Sequence, residues 1–172
     1  TAIIIPSRLG AKRFPNKPLA KINNVPMIIH VLARAKESKV GEVFVATPDE
    51  EIFKIVRENG GEAIITKTDH LSGSDRVYEA YTKELKNDVD LIINLQGDMP
   101  NIKPHSISKL VELMRNSKCD IGTLASYISD RDEHDNSNVV KVNTKEDLNS
   151  DNFLDAEDFF RTKDNLKDEK IY

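Results

Sequence analysis

With 172 residues, a formal net charge of −4, 38% hydrophobic and 31% charged residues, the sequence describes a folded domain rather than a disordered or fibrous chain. No apolar run approaches the roughly 20 residues of a membrane helix. The opening "AIII" is followed too soon by Arg8 to act as a secretory leader, and Cys119 has no second cysteine to pair with, so a cytoplasmic protein is expected. The acidic balance argues against a general nucleic-acid binder.

Short apolar runs alternate with helical periodicity, the signature of βα units around a mostly parallel sheet. "AIII" (Ala2 to Ile5) is the first strand, and its unbroken apolar character predicts burial on both faces. "PMIIHVLARAKES" is a helix with Pro26 in its first turn and a stripe of Met27, Ile28, Val31, Leu32 and Ala35. "EVFVAT" is the second strand. Thr47, Pro48 and Glu50 then suggest a capping box, and the helix through Ile52, Ile55 and Val56 stops at Gly60 and Gly61. "EAIIT" is the third strand. Val77 to Leu85 reads as a helix, "DLIINLQ" as a buried strand, and "KPHSISKLVELMRN" as a helix with Ile107, Leu110, Val111 and Met114 on one face. "IGTLASYI" reads as a fifth strand. "VVKV" (Val139 to Val142) has strand character, whereas the polar stretch from Lys145 to Tyr172 specifies little. The abrupt ending at Tyr172 leads us to expect that the sequence stops inside a larger protein or skips disordered segments.

Ligands of open α/β sheets bind beyond the carboxyl ends of the strands, which singles out three loops. The first carries Arg8, Lys12, Arg13, Lys17 and Lys21, and no acidic residue precedes Glu37. Guanidinium forks at Arg8 and Arg13 and an ammonium at Lys17 suit a ligand with several negative charges, such as a triphosphate. Neither G-x-G-x-x-G nor G-x-x-x-x-G-K-[ST] is present, which leaves side chains rather than glycine-exposed amides to bind phosphate. A solvated surface turn is the competing interpretation. The second loop, "HLSGSDR", has Ser72, Gly73 and Ser74 to offer hydroxyls and amides to a base or sugar, and Arg76 to pair with phosphate or Asp75; the same residues would also serve as a serine-capped helix start. The third, "QGDMP", places Asp98 after Gly97, where a carboxylate bridges a divalent metal to phosphates or simply makes a turn. His30, His105 and His134 lack metal-ligand spacing and read as structural, and Asp130, Asp132, Glu133 and Asp135 as a solvated loop.

Taken together, "IIIPSRLGAKRFPNKPLAKINNVPMIIHVLARA", "VATPDEEI", "GGEAIITKTDHLSGSDRVYEA", "IINLQGDMP" and "NVVKV" resemble, in order and spacing, the 3-deoxy-manno-octulosonate cytidylyltransferases, or CMP-Kdo synthetases. The resemblance covers roughly residues 2 to 142. It implies an α/β, Rossmann-like nucleotidyltransferase fold with a mostly parallel central sheet flanked by helices, and a homodimer. It implies a nucleotide-binding domain over 1–142, with 143–172 beginning a sugar-binding and dimerisation portion. The implied reaction transfers CMP from CTP to Kdo (3-deoxy-D-manno-octulosonate) with Mg²⁺, releasing pyrophosphate, for lipopolysaccharide synthesis. Arg8, Arg13 and Lys17 would hold the triphosphate, Arg76 and Gln96 the nucleotide, Asp98 the metal, and Arg161 the sugar carboxylate. Two departures stand out: Met99 replaces the glutamate of Q-G-D-E-P, and Asn16 and Asn24 stand where the family often has glycine. A CTP-binding regulatory relative and a cytidylyltransferase for another acid sugar are the alternatives.

Overall fold

The computed structural model describes residues 1–10, 14–86, 88–148, 152–162 and 170–172. Lys12 and Arg13 therefore lie outside the described residues. The chain divides into two compact units, 1–108 and 109–172.

In the first unit, β1 (Ala2–Pro6) lies inside a four-stranded parallel sheet with β4 (Glu42–Thr47), β5 (Glu62–Ile65) and β6 (Ile92–Asn94), in the order β5-β4-β1-β6. Alternating side chains of β1 enter different cores. Ile3 and Ile5 pack with Ile28, Val31, Leu32 and Ala35 of α1 (Met27–Glu37), with Ile52 and Val56 of α2 (Glu50–Glu58), and with Ile107 of α4 (Pro104–Arg115). Ala2 and Ile4 pack on the other face with Val77 and Ala80 of α3 (Gly73–Glu84). Ile3, Ile4 and Ile5 are completely buried. Each contributes about 1.5–3 kcal/mol relative to an exposed side chain. Helices on both faces thus explain the uninterrupted apolar run.

Between β1 and α1 the chain makes a 3₁₀ turn, Lys17–Leu19, and a hairpin of β2 (Lys21–Ile22) and β3 (Val25–Pro26). Asn16, Asn23 and Asn24 have φ of 57°, 49° and 66°. Two consecutive left-handed residues close a two-residue hairpin with the twist that its strands require, and asparagine tolerates that conformation.

Several elements differ from expectation: the strand at Val139 to Val142 runs instead from Lys141 to Thr144, and "DLIINLQ" forms a strand only over Ile92–Asn94. The Thr47 to Glu50 capping box does not form: α2 begins at Glu50 after Asp49, the Thr47 hydroxyl accepts from the Asp49 amide at 3.1 Å, and the Asp49 side chain is engaged elsewhere. Helix α3 starts four residues before Val77, because Ser72 and Asp75 form a reciprocal capping box. "IGTLASYI" is not a strand, and Ile121 is 89% exposed; β-branched and aromatic residues favour a strand only where neighbours are present to pair and pack with.

The second unit contains a short helix α5 (Arg131–Asp135), capped by the Asp130 carboxylate, and an antiparallel sheet of order β8-β7-β9. Its strands are β7 (Lys141–Thr144), β8 (Ala156–Phe160) and β9 (Lys170–Ile171). Lys141 is 1% exposed, and its ammonium donates to the carbonyls of Asn136, Val139 and Arg161 at 2.6, 3.2 and 2.7 Å. A buried ammonium with all three protons directed at oxygens meets the requirement for compensating its desolvation. Among the described residues no helix is long and apolar enough to cross a membrane.

Close packing below β5 gives a direct test. A Cβ at Gly61 would come within 2.6 Å of Leu32 Cδ2 and 2.7 Å of Val56 Cγ1. Gly61→Ala should therefore reduce unfolding stability by about 1–3 kcal/mol, measured as a lower urea midpoint with an unchanged slope. A wild-type midpoint would show that the side chains yield without cost.

Candidate active site

Because the strands of the first sheet are parallel, their carboxyl ends lie along one edge, and the loops leaving β1, β5 and β6 surround a cavity of about 250 Å³. The end of β1 supplies Pro6, Ser7 and Arg8; the 3₁₀ turn supplies Lys17 and Pro18; the start of α3 and its preceding loop supply His70, Ser72, Gly73 and Arg76; and the loop after β6 supplies Gln96, Gly97 and Asp98. Gly97 permits this closure, since a Cβ there would stand 3.1 Å from the Pro6 carbonyl oxygen.

The cavity therefore gathers Arg8, Lys17, Ser72, Gly73, Arg76, Gln96 and Asp98 from the residues singled out in the sequence. Ser74 sits behind the wall, accepting from Asn94 Nδ2 at 3.3 Å, while Asn94 Oδ1 accepts from Gln96 Nε2 at 3.0 Å. Arg161 belongs to the second unit, where its Nη1 donates to the carbonyls of Ser137 and Asn138 at 3.2 and 2.9 Å.

Arg76 is the most constrained cation of the cavity. It is 2% exposed, and its Nη1 donates to the Thr66 hydroxyl and, at 2.9 Å, to the Lys67 carbonyl. Burial and the neighbouring charge of Arg8 lower its affinity for its proton, while Asp49 and Glu79 oppose them. An arginine nevertheless stays charged, so Arg8 and Arg76 create a positive field that favours an anion. Lys17 Nζ donates to Asp98 Oδ2 at 2.7 Å, with 36% and 49% of the two side chains exposed. An ion pair this accessible is worth about 0.2–1 kcal/mol, so it opens readily when a stronger partner arrives.

Other carboxylates brace the loops. Asp49 Oδ2 accepts the Leu9 amide at 2.8 Å, fixing the residue after Arg8. The Ser72 hydroxyl and amide both donate to Asp75, at 2.7 and 3.0 Å, and hold its carboxyl below the usual range. The Ser72 hydroxyl also accepts from the Asp75 amide at 3.1 Å, so the serine caps α3 as it borders the cavity. Glu79 accepts from the Lys67 amide at 2.9 Å and pairs with His70. Burial pushes the Glu79 carboxyl up, but the bonds from His70 and Lys67 and the charge of Lys83 outweigh it, so its pKa is lowered.

Sequence reasoning missed Ser7, Asp49 and Glu79. Ser7 is 6% exposed, lines the cavity, and its hydroxyl has no hydrogen-bond partner among the described residues. It was hidden as an ordinary strand-end serine. Glu79 lies three residues after Arg76, a same-face spacing that becomes visible only once α3 is known to begin at Gly73.

The pattern that defines the cytidylyltransferase family matches residues 2–171. The 3-deoxy-manno-octulosonate cytidylyltransferase of Brucella ovis is 48% identical over 143 residues, which are 83% of this chain and 57% of that protein. The enzyme of the same name from Nitrobacter winogradskyi is 46% identical, with 83% and 56% covered. The chain thus spans little more than half the length of the curated relatives it matches. A solved structure of CMP:2-keto-3-deoxy-manno-octonic acid synthetase complexed with CTP superposes with a TM-score of 0.82 at 39% identity, over 94% of this chain and 64% of that one. A cytidylyltransferase from Leptospira borgpetersenii superposes at 0.58 with 27% identity, over 68% and 49% of the two chains. With its mostly parallel nucleotidyltransferase sheet and a match running almost from end to end, this chain belongs to the cytidylyltransferase family, among the relatives of the 3-deoxy-manno-octulosonate cytidylyltransferases.

Proposed function

We propose that the protein transfers CMP from CTP to 3-deoxy-D-manno-octulosonate and releases pyrophosphate, supplying the activated sugar acid for lipopolysaccharide synthesis. The observation that carries this reading is the convergence of Arg8, Lys17 and Arg76 with Asp98 around one cavity at the carboxyl edge of the sheet. Three cations and one carboxylate suit a triphosphate with a divalent metal better than they suit a neutral ligand.

In this reading Arg8, Arg13 and Lys17 grip the triphosphate oxygens. Arg76 and Gln96 hold the nucleotide, with Ser72, Gly73 and Ser74 shaping its pocket, and the Ser7 hydroxyl, which has no partner among the described residues, turns to the bound nucleotide. The fit to Mg²⁺ is supported by the donor set. Asp98 is half exposed and faces the cavity, and no group of three metal-type side chains gathers among the described residues. One carboxylate completed by phosphate oxygens and water is a usual arrangement for Mg²⁺, so Asp98 would hold it. There the ion would withdraw charge from the phosphate oxygens.

The chain's own residues act through position and charge, as phosphoryl transfer requires. Arg76, already fixed by two acceptors, loses little freedom when the nucleotide binds. Lys17 exchanges Asp98 for phosphate. Arg8 and Lys17 then stabilise the charge that collects on departing pyrophosphate as the sugar hydroxyl attacks the α-phosphorus. Arg161 would receive the sugar carboxylate, with residues 1–142 as the nucleotide-binding part and 143–172 opening the sugar-binding and dimerisation part. The protein works as a homodimer in the cytoplasm, a reducing compartment that agrees with its one exposed, unpaired cysteine.

The deciding experiment is pyrophosphate release by the purified protein with CTP, Mg²⁺ and Kdo, using ATP and a sialic acid as controls. Release with CTP and Kdo alone is expected; CTP binding without release points to a regulatory relative. Within the site, Lys17→Ala should weaken CTP binding about tenfold with a smaller change in kcat, since a charge-assisted hydrogen bond is worth about 1.5–3 kcal/mol. Asp98→Asn should lower kcat about a hundredfold and blunt the response to Mg²⁺, with CTP affinity less affected. Wild-type turnover in the Asp98 variant would refute its assignment to the metal.

A further inference from the structure

The carboxylate of Glu79 is 14% exposed and is absent from the cavity wall, yet it touches the loop that contributes His70 to that wall and supplies the acceptors of Arg76. Its Oε2 accepts the Lys67 amide at 2.9 Å and pairs with Nε2 of His70, a residue that does line the cavity. The carbonyl of the same Lys67 accepts from Arg76 Nη1 at 2.9 Å, and the neighbouring Thr66 hydroxyl accepts from that nitrogen too. Lys67 is thus clamped at its amide by Glu79 and offers its carbonyl to Arg76. The geometry points to Glu79 as a positioning residue of the nucleotide site, acting through the 66–70 loop on Arg76 and His70; this rests on reading the cavity as a CTP site.

The Arg76 guanidinium is nearly removed from water, so an acceptor that drifts away leaves a desolvated charge underpaired. The loop between β5 and α3 has no regular secondary structure of its own from Thr66 to Leu71, and Glu79 pins it at two points three residues apart. Arg76 and Glu79 lie one helical turn apart on α3, so a single rigid element presents the guanidinium and braces its acceptor. Among the described residues the other charged partner of the carboxylate, Lys83 at 3.5 Å, is half exposed and four residues along the helix. A pair of that kind is worth a few tenths of a kcal/mol and does not account for burying a carboxylate.

The test is the CTP affinity, by titration calorimetry, of wild type, Glu79→Ala, Glu79→Asp and Glu79→Gln, with Ala repeated in an Arg76→Lys background. Glu79→Ala should weaken CTP binding about tenfold, and Glu79→Asp, one methylene too short to reach Lys67 and His70 together, about threefold. Glu79→Gln, which keeps the shape and an acceptor for the Lys67 amide, should recover most of the affinity. With Arg76→Lys the Ala substitution should cost less than about twofold, because the group being positioned is gone. A general structural defect instead gives the same loss in both backgrounds, and that result overturns the proposal, as does wild-type affinity in Ala. If Ala fails to fold, an Asp variant that binds like wild type overturns it equally. Absence of CTP binding by the wild type brings down the nucleotide reading and this inference together; normal wild-type binding with no loss in any Glu79 variant overturns this inference alone.

Discussion

Ile3, Ile4 and Ile5 are sealed from solvent on both faces of a parallel sheet, and the placement of every functional group in the first unit follows from that constraint. A strand buried on both sides cannot slip in register without driving apolar side chains into the wrong core. Its end is consequently a fixed point. Pro6, Ser7 and Arg8 emerge there with little freedom, flanked by the ends of β4 and β6, and the cavity is built outward from them.

What surrounds that point is a graded set of charges. Arg76 is buried and doubly bonded, Lys17 is accessible and loosely paired, and Arg8 is exposed. The gradation matches a ligand whose parts need different treatment. A nucleotide moiety calls for rigid, desolvated recognition, whereas a triphosphate tail that must later leave calls for cations that can adapt and release. Asp49, Asp75 and Glu79 stand behind this set and brace its loops.

Much of this was legible in the sequence because it depended on local rules. The apolar β1, the proline and glycine punctuation around α1 and α2, and the run of cations without acidic residues each declare themselves within a few positions. The three loops could be grouped because parallel topology sends all strand ends to one side. Properties that depend on distant partners were hidden. Ser72 looked equally like a cap and a ligand until the capping box was seen, and the segment around Ile121 is apolar enough for a strand but finds no ladder among the described residues. Glu79 was invisible because its importance comes from a loop twelve residues earlier. Lys141 would be taken for a surface lysine in any reading of composition, and only the three carbonyls converging on it reveal why it is buried.

The sheet order also sets a timetable for folding. β1 precedes the other strands of its sheet along the chain, yet one of its neighbours is β6, and the Ala2 amide bonds to the Leu91 carbonyl. Pairings so far apart in sequence bear a large loop-closure entropy before they yield any contact energy. Until residues 92–94 have left the ribosome, the most apolar strand of the first unit has one side without its native partner. The nascent chain thus carries an exposed isoleucine strand through most of that unit's synthesis, which makes this interval its window of greatest vulnerability to aggregation.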